Sequence, residues 1–447
     1  MGDLSRVDVR DKSGRPRASF PEPTLGALLG ELFADRLKVG LRTWEGGRLG
    51  PPDAPATIVV RSRKALASVL QRPGQLGLAR AYVTGDLEVE GDLLECLHLG
   101  AALDGVRPTA RQWAALARLA GPSLLVPGGA PPEEVRLSGR VHSLARDRAA
   151  VTHHYDVSDE FYRLVLGPSM TYSCALFEHP AASLESAQEA KHELVSSKLA
   201  LEPGMRLLDV GCGWGGMLEH AVTRHGVDAV GVTLSARQRS WAERRLSDAN
   251  GKAELRLQDY RETDDGPYDA VSSIGMSEHV GEAKLAGYFE KLFALVRPGG
   301  RLLNHAISAL PAGRVAGRWP TVLPRSARKA GAGFAPDSFM ARYIFPDGEL
   351  IEVGVVVSAM QAAGFEVRHV ESLREHYGLT LRRWLANLED QWSVAAGIVG
   401  ERRARAWRLY LAGSAVAFDT ARIGVHQVLG VRPAKGRSGL ALRPRFS

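Results

Sequence analysis

The residues with the clearest chemical purpose lie between Asp209 and Gly216. The run Asp209-Val-Gly211-Cys-Gly213-Trp-Gly215-Gly216 follows a short strand pattern ending in Leu207-Leu208 and precedes a helical pattern, GMLEHAVTRHG. Glycines at such a junction let the main chain pass close to a ligand. The helix N-terminus adds free N–H groups and a positive dipole end. A dinucleotide site has a similar outline. Asp209 separates the two, because a carboxylate there repels a pyrophosphate and attracts an ammonium group. The run therefore points to S-adenosylmethionine, whose amino acid end carries an ammonium. Thr233 and Gln238 lie at and after the next strand pattern, DAVGVTL, where a neutral amide can bind ribose hydroxyls. Asp259, in LQDYRE, stands where it can meet the adenine amino group. The competing readings are a helix cap for Asp209, an exposed helix residue for Gln238 and a turn residue for Asp259.

These residues need a sheet to position them. RLLDVGCG, DAVGVTL, ELRLQDY, YDAVSSIGM and GRLLNHAI read as strands with helical stretches between them. That alternation implies right-handed βαβ units and a mainly parallel sheet covered on both faces. After the helical run ELIEVGVVVSAMQAAG, FEVRHV and VESLREHY predict a closing strand pair, one strand antiparallel. The expected fold class is α/β, a class I methyltransferase (Rossmann-like) seven-stranded sheet with a small N-terminal accessory domain. The N-terminal region reads as a helix (TLGALLGELFADRL), a strand (ATIVVRS) and a helix stopped by Pro73-Gly74. It is too small and irregular for a cofactor-binding sheet. Residues 121–136 are rich in Gly and Pro, so the boundaries are set at 1–120 for the accessory domain, 121–150 for a linker and 151–447 for the methyltransferase domain.

The chain has 447 residues, 45% of them hydrophobic and 24% charged, as in a globular protein of two or three domains. Cys96, Cys174 and Cys212 cannot form a complete disulfide set, and none lies in a CxxC. His153, His154 and Asp156 invite a metal reading, but adjacent histidines do not easily face one ion, and no other cluster has ligand spacing. No metal is expected. The start of the chain lacks an apolar signal core, and no run approaches the ~18 apolar residues of a membrane span. A cytoplasmic location is expected. Net charge is +7, and from residue 401 onward ten basic residues face only Glu401 and Asp419. Residues 311–342 add Arg314, Arg318, Trp319, Arg325, Arg328 and Lys329. Such charge suits anionic lipid or nucleic acid, or is simply solvated. No Asn-Pro-Pro-aromatic or Pro-Cys motif supports nucleic acid methylation, so no nucleic acid partner is expected.

A set of motifs in order carries a family resemblance: His153-His-Tyr155-Asp-Val-Ser-Asp-Glu-Phe-Tyr162, Thr171-Tyr-Ser-Cys174, the glycine run, Glu278-His-Val-Gly281, His305-Ala-Ile307, Tyr343-Ile-Phe-Pro-Asp-Gly348 and His376-Tyr377. From His153 to about Trp384 the chain resembles cyclopropane-fatty-acyl-phospholipid synthases and mycolic acid cyclopropane synthases. The segment Leu76-Gly-Leu-Ala-Arg-Ala-Tyr-Val-Thr-Gly85 resembles the accessory domain of the phospholipid-acting members. The resemblance implies methyl transfer from S-adenosylmethionine to the cis double bond of an unsaturated phospholipid acyl chain. The resulting carbocation would lose a proton to a bound bicarbonate, giving a cyclopropane. Cys174, Glu278, His305, Ile307 and Tyr377 are the implied bicarbonate and catalytic set. Tyr155, Tyr172 and Ser173 join Asp209, Gly211, Gly213, Gly215, Thr233, Gln238 and Asp259 as implied cofactor residues. Taken singly, Cys174 reads as a core residue, His305 as a satisfied histidine, Glu278 as a helix N-terminal acid and Tyr377 as a sheet tyrosine. An alternative product is a 10-methylene chain, precursor of 10-methylstearate (tuberculostearate-type), with Ser277 and Asn304 as candidate determinants and a separate reductase as partner. The resemblance further implies peripheral contact with the inner membrane face and allows a homodimer.

Overall fold

The computed structural model describes residues 24–33, 36–100, 108–125, 130–135, 146, 158–247, 252–310, 334 and 338–446. Near the N-terminus, β1 (Gly40–Thr43), β2 (Arg48–Leu49), β3 (Ala56–Val60) and β4 (Leu87–Gly91) form a mixed sheet ordered β2-β1-β3-β4. Around it pack α1 (Leu25–Phe33), α2 (Arg63–Gln71), α3 (Gln75–Val83), α4 (Leu93–Gly100) and α5 (Ala110–Ala120). Helix α2 starts where the Ser62 side chain accepts from the Lys64 amide and stops just before Pro73, as the sequence predicts.

The larger sheet contains β5 (Arg206–Val210), β6 (Asp228–Thr233), β7 (Ala253–Leu257), β8 (Tyr268–Ile274), β9 (Val296–Ala309), β10 (Glu366–Ser372) and β11 (Ile423–Val431). Its seven strands run β10-β11-β9-β8-β5-β6-β7, all parallel except β11, which is antiparallel to both β9 and β10. The chain also forms α6 (Asp159–Leu166), α7 (Leu184–Leu199), α8 (Gly216–His225), α9 (Ala236–Arg245), α10 (Ser277–Val280), α11 (Leu285–Leu295), α12 (Val353–Ala362), α13 (Arg374–Asp390), α14 (Trp392–Val399) and α15 (Glu401–Asp419). Side chains alternate along β5: Leu207 enters the core shared with α7 and α8, and Leu208 the core shared with α11 and α12. A strand buried on both faces is mainly apolar, as Leu207, Leu208 and Val210 are.

Three expectations need correction. VESLREHY is not a strand. Its first residues extend β10, and the polypeptide turns helical at Arg374 because LREHYGLTLRRWLANL repeats apolar residues at helical spacing. The antiparallel partner is β11, reached only after α13, α14 and α15. The basic C-terminal segment is not a free tail. Arg405 is buried, its guanidinium bonded to Glu88 (2.6 Å) and to the Tyr82 and Leu87 carbonyls. Arg408 meets Glu389 and the Tyr82 hydroxyl, and Arg432 donates to the Phe293 and Val296 carbonyls. Finally, the part of 121–136 around Glu134 is packed, while Leu125 is exposed. Glu134 is buried against Arg80 of α3 and accepts from the Tyr343 hydroxyl at 3.1 Å. The basic stretch from Arg314 to Lys329 lies outside the described residues.

Candidate functional site

The parallel strands change direction of succession at β5, with β6 and β7 on one side and β8 and β9 on the other. A crevice outside the carboxyl ends of strands at such a point is the expected ligand site of an open α/β sheet. A cleft of roughly 180 Å³ lies there, bordered by Asp209, Gly211, Gly213, Thr233, Gln238 and Asp259 among others. Gly211, Gly213 and Gly215 all take positive φ (76°, 55° and 82°). At Gly211 a side chain would also collide with Met276 Sδ. Three positive φ values in five residues explain why the turn is glycine-rich.

Asp209 does not cap a helix. Its carboxylate accepts from Ser272 Oγ at 2.5 Å and faces the cleft. Burial pushes its pKa up to about 6. Gln238 is buried rather than exposed: Ser235 caps α9 and accepts the Gln238 main-chain N–H, while Ala236 and Arg237 before it stay exposed. Its Oε1 accepts from Thr233 Oγ1 at 3.0 Å. Asp259 is a turn residue and a cleft residue at once. Its carboxylate accepts from the Arg261 main-chain N–H (3.0 Å) and side chain (2.7 Å). Tyr172 and Ser173 also line the cleft, whereas Tyr155 lies outside the described residues.

Beside the cleft is a second, more deeply buried group. Ile274 of β8 borders the cleft and pairs with His305 of β9. His305 is buried, and desolvation holds its pKa down to about 3, so the ring is neutral. Lys198 Nζ donates to Gln427 Oε1 at 2.7 Å, which turns the Gln427 amide nitrogen toward His305 Nδ1, 3.1 Å away. An amide N–H donating to Nδ1 leaves the imidazole proton on Nε2. Among the described residues that Nε2–H is buried without a partner, and so is Glu278 Oε2. The other Glu278 oxygen accepts the Ile307 amide at 2.7 Å. Burial raises the Glu278 pKa to about 7. An orphaned donor and an orphaned acceptor fit a small polar guest with both functions, such as bicarbonate.

Cys174 and Tyr377 come together through the start of α13. Cys174 Sγ lies 3.6 Å from the Leu373 carbonyl, which also accepts the Tyr377 amide at 3.1 Å. Burial drives the Cys174 thiol pKa far up, so it is no thiolate nucleophile. The structure thus joins Glu278 to Ile307 and Cys174 to the Tyr377 turn.

The sequence reading missed the cations on α7. Lys191 is buried in the cleft wall with its Nζ 3.2 Å from Ser173 Oγ, and desolvation brings its pKa down to about 7. Lys198 is equally buried and pairs with Glu371. A signal was available: both lysines occupy positions where the α7 pattern places core residues, one heptad apart.

Comparison with known proteins places this architecture. The family model described as mycolic acid cyclopropane synthetase matches residues 142–428. A probable fatty acid methyltransferase of Mycobacterium tuberculosis (strain ATCC 25618 / H37Rv) is 42% identical over 415 residues, covering 90% of this chain and 93% of its own. A probable fatty acid methyltransferase of Pseudomonas putida is 39% identical over 402 residues, covering 89% and 92%. Among solved structures, the mycolic acid cyclopropane synthase CmaA1 complexed with SAH and CTAB superimposes with a TM-score of 0.57 at 34% identity, covering 63% of this chain and 97% of that one.

Proposed function

The chain belongs to the mycolic acid cyclopropane synthetase family and is an S-adenosylmethionine-dependent methyltransferase; from that premise we propose that it methylenates the cis double bond of an unsaturated phospholipid acyl chain, giving a cyclopropane fatty acid. Two relatives that align over nine-tenths of this chain are named for fatty acids, and their alignment takes in the N-terminal region as well. That favours an acyl substrate presented by a membrane lipid, with peripheral contact at the leaflet. Residues 1–120 are read as an accessory unit for that contact.

The carrying observation is the pair of orphaned, buried atoms, His305 Nε2 and Glu278 Oε2, behind the cofactor cleft. S-adenosylmethionine supplies an electrophilic sulfonium methyl group, which an alkene can attack. Asp209 holds the ammonium end, Gln238 and Thr233 the ribose, and Asp259 the adenine edge. Tyr172 borders the cleft, with Trp384 and Trp407 packed behind it at ring-centroid distances of 5.4 and 6.0 Å. The Tyr172 π face suits positive charge developing on an acyl carbon. Bicarbonate, held by His305, Glu278, Tyr377 and the main chain at Cys174 and Ile307, would supply a base for the proton lost on ring closure. Glu278 Oε1 presently takes the Ile307 amide, so Glu278 must share or release that donor when an anion binds. The Glu371–Lys198–Gln427 chain keeps the His305 proton on Nε2, aimed at the guest.

The test uses purified full-length chain, dioleoyl phospholipid vesicles and S-adenosylmethionine bearing a trideuteriomethyl group. Gas chromatography with mass spectrometry of the released fatty acids is expected to find a ring carrying two deuteriums. An exocyclic methylene of equal mass would move the chain to the 10-methylene branch and call for a reductase partner. Absence of labelled lipid from folded, cofactor-binding protein would remove the acyl-chain reading.

A further inference from the structure

Away from the cleft, α7 and α8 bring together three ligand-type side chains that sequence spacing does not associate. Glu193 sits midway along α7, and His220 and His225 lie on α8. Glu193 Oε2 is 3.0 Å from His220 Nε2 and 3.1 Å from His225 Nε2. All three ligand atoms lie within 4.8 Å of one another. We propose that Glu193, His220 and His225 form a binding site for a divalent transition-metal ion of the zinc type, clamping α7 to α8.

The geometry is near what an ion requires. Zinc takes imidazole nitrogen and carboxylate oxygen at ~2.0–2.2 Å, so ligand atoms around it stand somewhat over 3 Å apart. Small rotamer adjustments bring these three atoms to that spacing. Two imidazoles and one carboxylate select zinc, cobalt, nickel or copper over magnesium or calcium, which prefer oxygen. The surroundings are acidic: Glu178, Glu189 and Glu193 line one depression with His220, and the single cation there, Arg224, is paired with Glu189. Behind His220 lies the ring of His192, 5.7 Å away. Ligation through Nε2 takes each neutral imidazole as its Nδ1–H tautomer.

The position gives the site a consequence. Helix α8 begins at Gly216, which closes the glycine turn of the cleft, and α7 carries Lys191, two residues from Glu193 and in the cleft wall. An ion outside would brace both helices from behind without touching the cofactor.

The experiment titrates chelator-treated full-length protein with Zn²⁺ by calorimetry and with Co²⁺ by visible absorption. The expected result is one saturable equivalent, a ligand-field spectrum of a low-coordinate cobalt centre, and a melting temperature that rises with Zn²⁺. His225→Asn and Glu193→Gln should each weaken binding about tenfold or more and abolish the thermal shift. Both positions are partly exposed, and a melt in chelator establishes that each variant is folded. Failure to bind one equivalent, or unchanged binding in both folded variants, would overturn the proposal.

Discussion

The cofactor cleft and the buried centre behind it are assembled in opposite ways. The cleft draws mostly on short runs at the ends of adjacent strands, around 209–217, 232–238, 258–261 and 274–276, joined by 170–173 and by Lys191 and His192 of α7. The His305 centre draws single residues from β9, β11, α7, α10 and the start of α13. Gln427 reaches His305 only once β11 has paired with β9, with α12, α13, α14 and α15 between the two strands. A loop closed over that separation costs more chain entropy than a strand–turn–helix unit. The comparison teaches that binding and chemistry here have different structural dependencies. Damage to long-range packing should fall on the second first.

The sharpest break comes from Glu278→Gln. The amide keeps the volume and an acceptor but removes the charge and its proton-handling. Methyl transfer is expected to fall about 10²–10⁴-fold in single turnover. Affinity for S-adenosylhomocysteine should hold. Equal losses in both would erase the distinction between cleft and centre. The same variant has a pH signature. Burial raises the folded pKa of Glu278 to about 7, above its unfolded value. Its contribution to stability is therefore complete below the unfolded pKa and is lost as pH rises through about 7. Between pH 5 and 8 the variant should lose less stability than the parent, by on the order of 3 kcal/mol. Urea unfolding at both pH values measures this.

A structural break comes from Arg405→Met. This side chain ties α15 to the N-terminal sheet, and its guanidinium also stacks 4.4 Å from the Tyr82 ring centroid. Removing one partner of a buried pair costs about 3–5 kcal/mol. Helix α15 also presents Phe418 to Tyr377, ring centroids 4.6 Å apart, and Trp407 to Tyr172. The loss should appear in turnover before cofactor affinity. Adding Glu88→Leu should restore part of the stability, because it removes the stranded carboxylate.

What the sequence disclosed follows the same division. The glycine turn, the strand before it and the strand ending at Thr233 are local patterns, and the structure realises them where they were read. Gln238 and Asp259 were located, but their burial and partners depend on Ser235 and Arg261, whose roles are set by turn geometry. The strand β11, reading IGVHQVLGV, was passed over because its register with β9 is fixed by contacts more than a hundred residues away. Gln427 and Lys198 were missed for that reason: nothing near them in the chain hints at His305. Motif resemblance supplied Cys174, Glu278, His305, Ile307 and Tyr377, which no local period would have grouped.

Gly211→Ala tests the cleft in isolation. At φ +76° and against Met276, an added methyl strains the turn by about 1–3 kcal/mol. Binding of S-adenosylhomocysteine should weaken by at least an order of magnitude in calorimetry. The His305 centre should survive, as reported by an unchanged pH midpoint for whatever turnover remains at saturating cofactor. A shifted midpoint would mean that the two regions are coupled through Met276.

The smallest expected effect is the most discriminating for the ribose assignment. Gln238→Ala removes one buried amide beside Thr233 and leaves the Thr233 hydroxyl to find another acceptor. A neutral hydrogen bond is worth about 0.5–1.5 kcal/mol, so cofactor affinity should drop roughly two- to twelvefold. Turnover at saturation should stay near the parent value, because the bond serves ground state and transition state alike. A 2′-deoxyribose analogue of S-adenosylhomocysteine supplies the second arm of a cycle. If Gln238 binds the ribose 2′-hydroxyl, the variant and the analogue should not add: each removes the same contact. Full additivity would place the Gln238 amide elsewhere in the cleft and leave the carboxylates of Asp209 and Asp259 as the groups that recognise the cofactor.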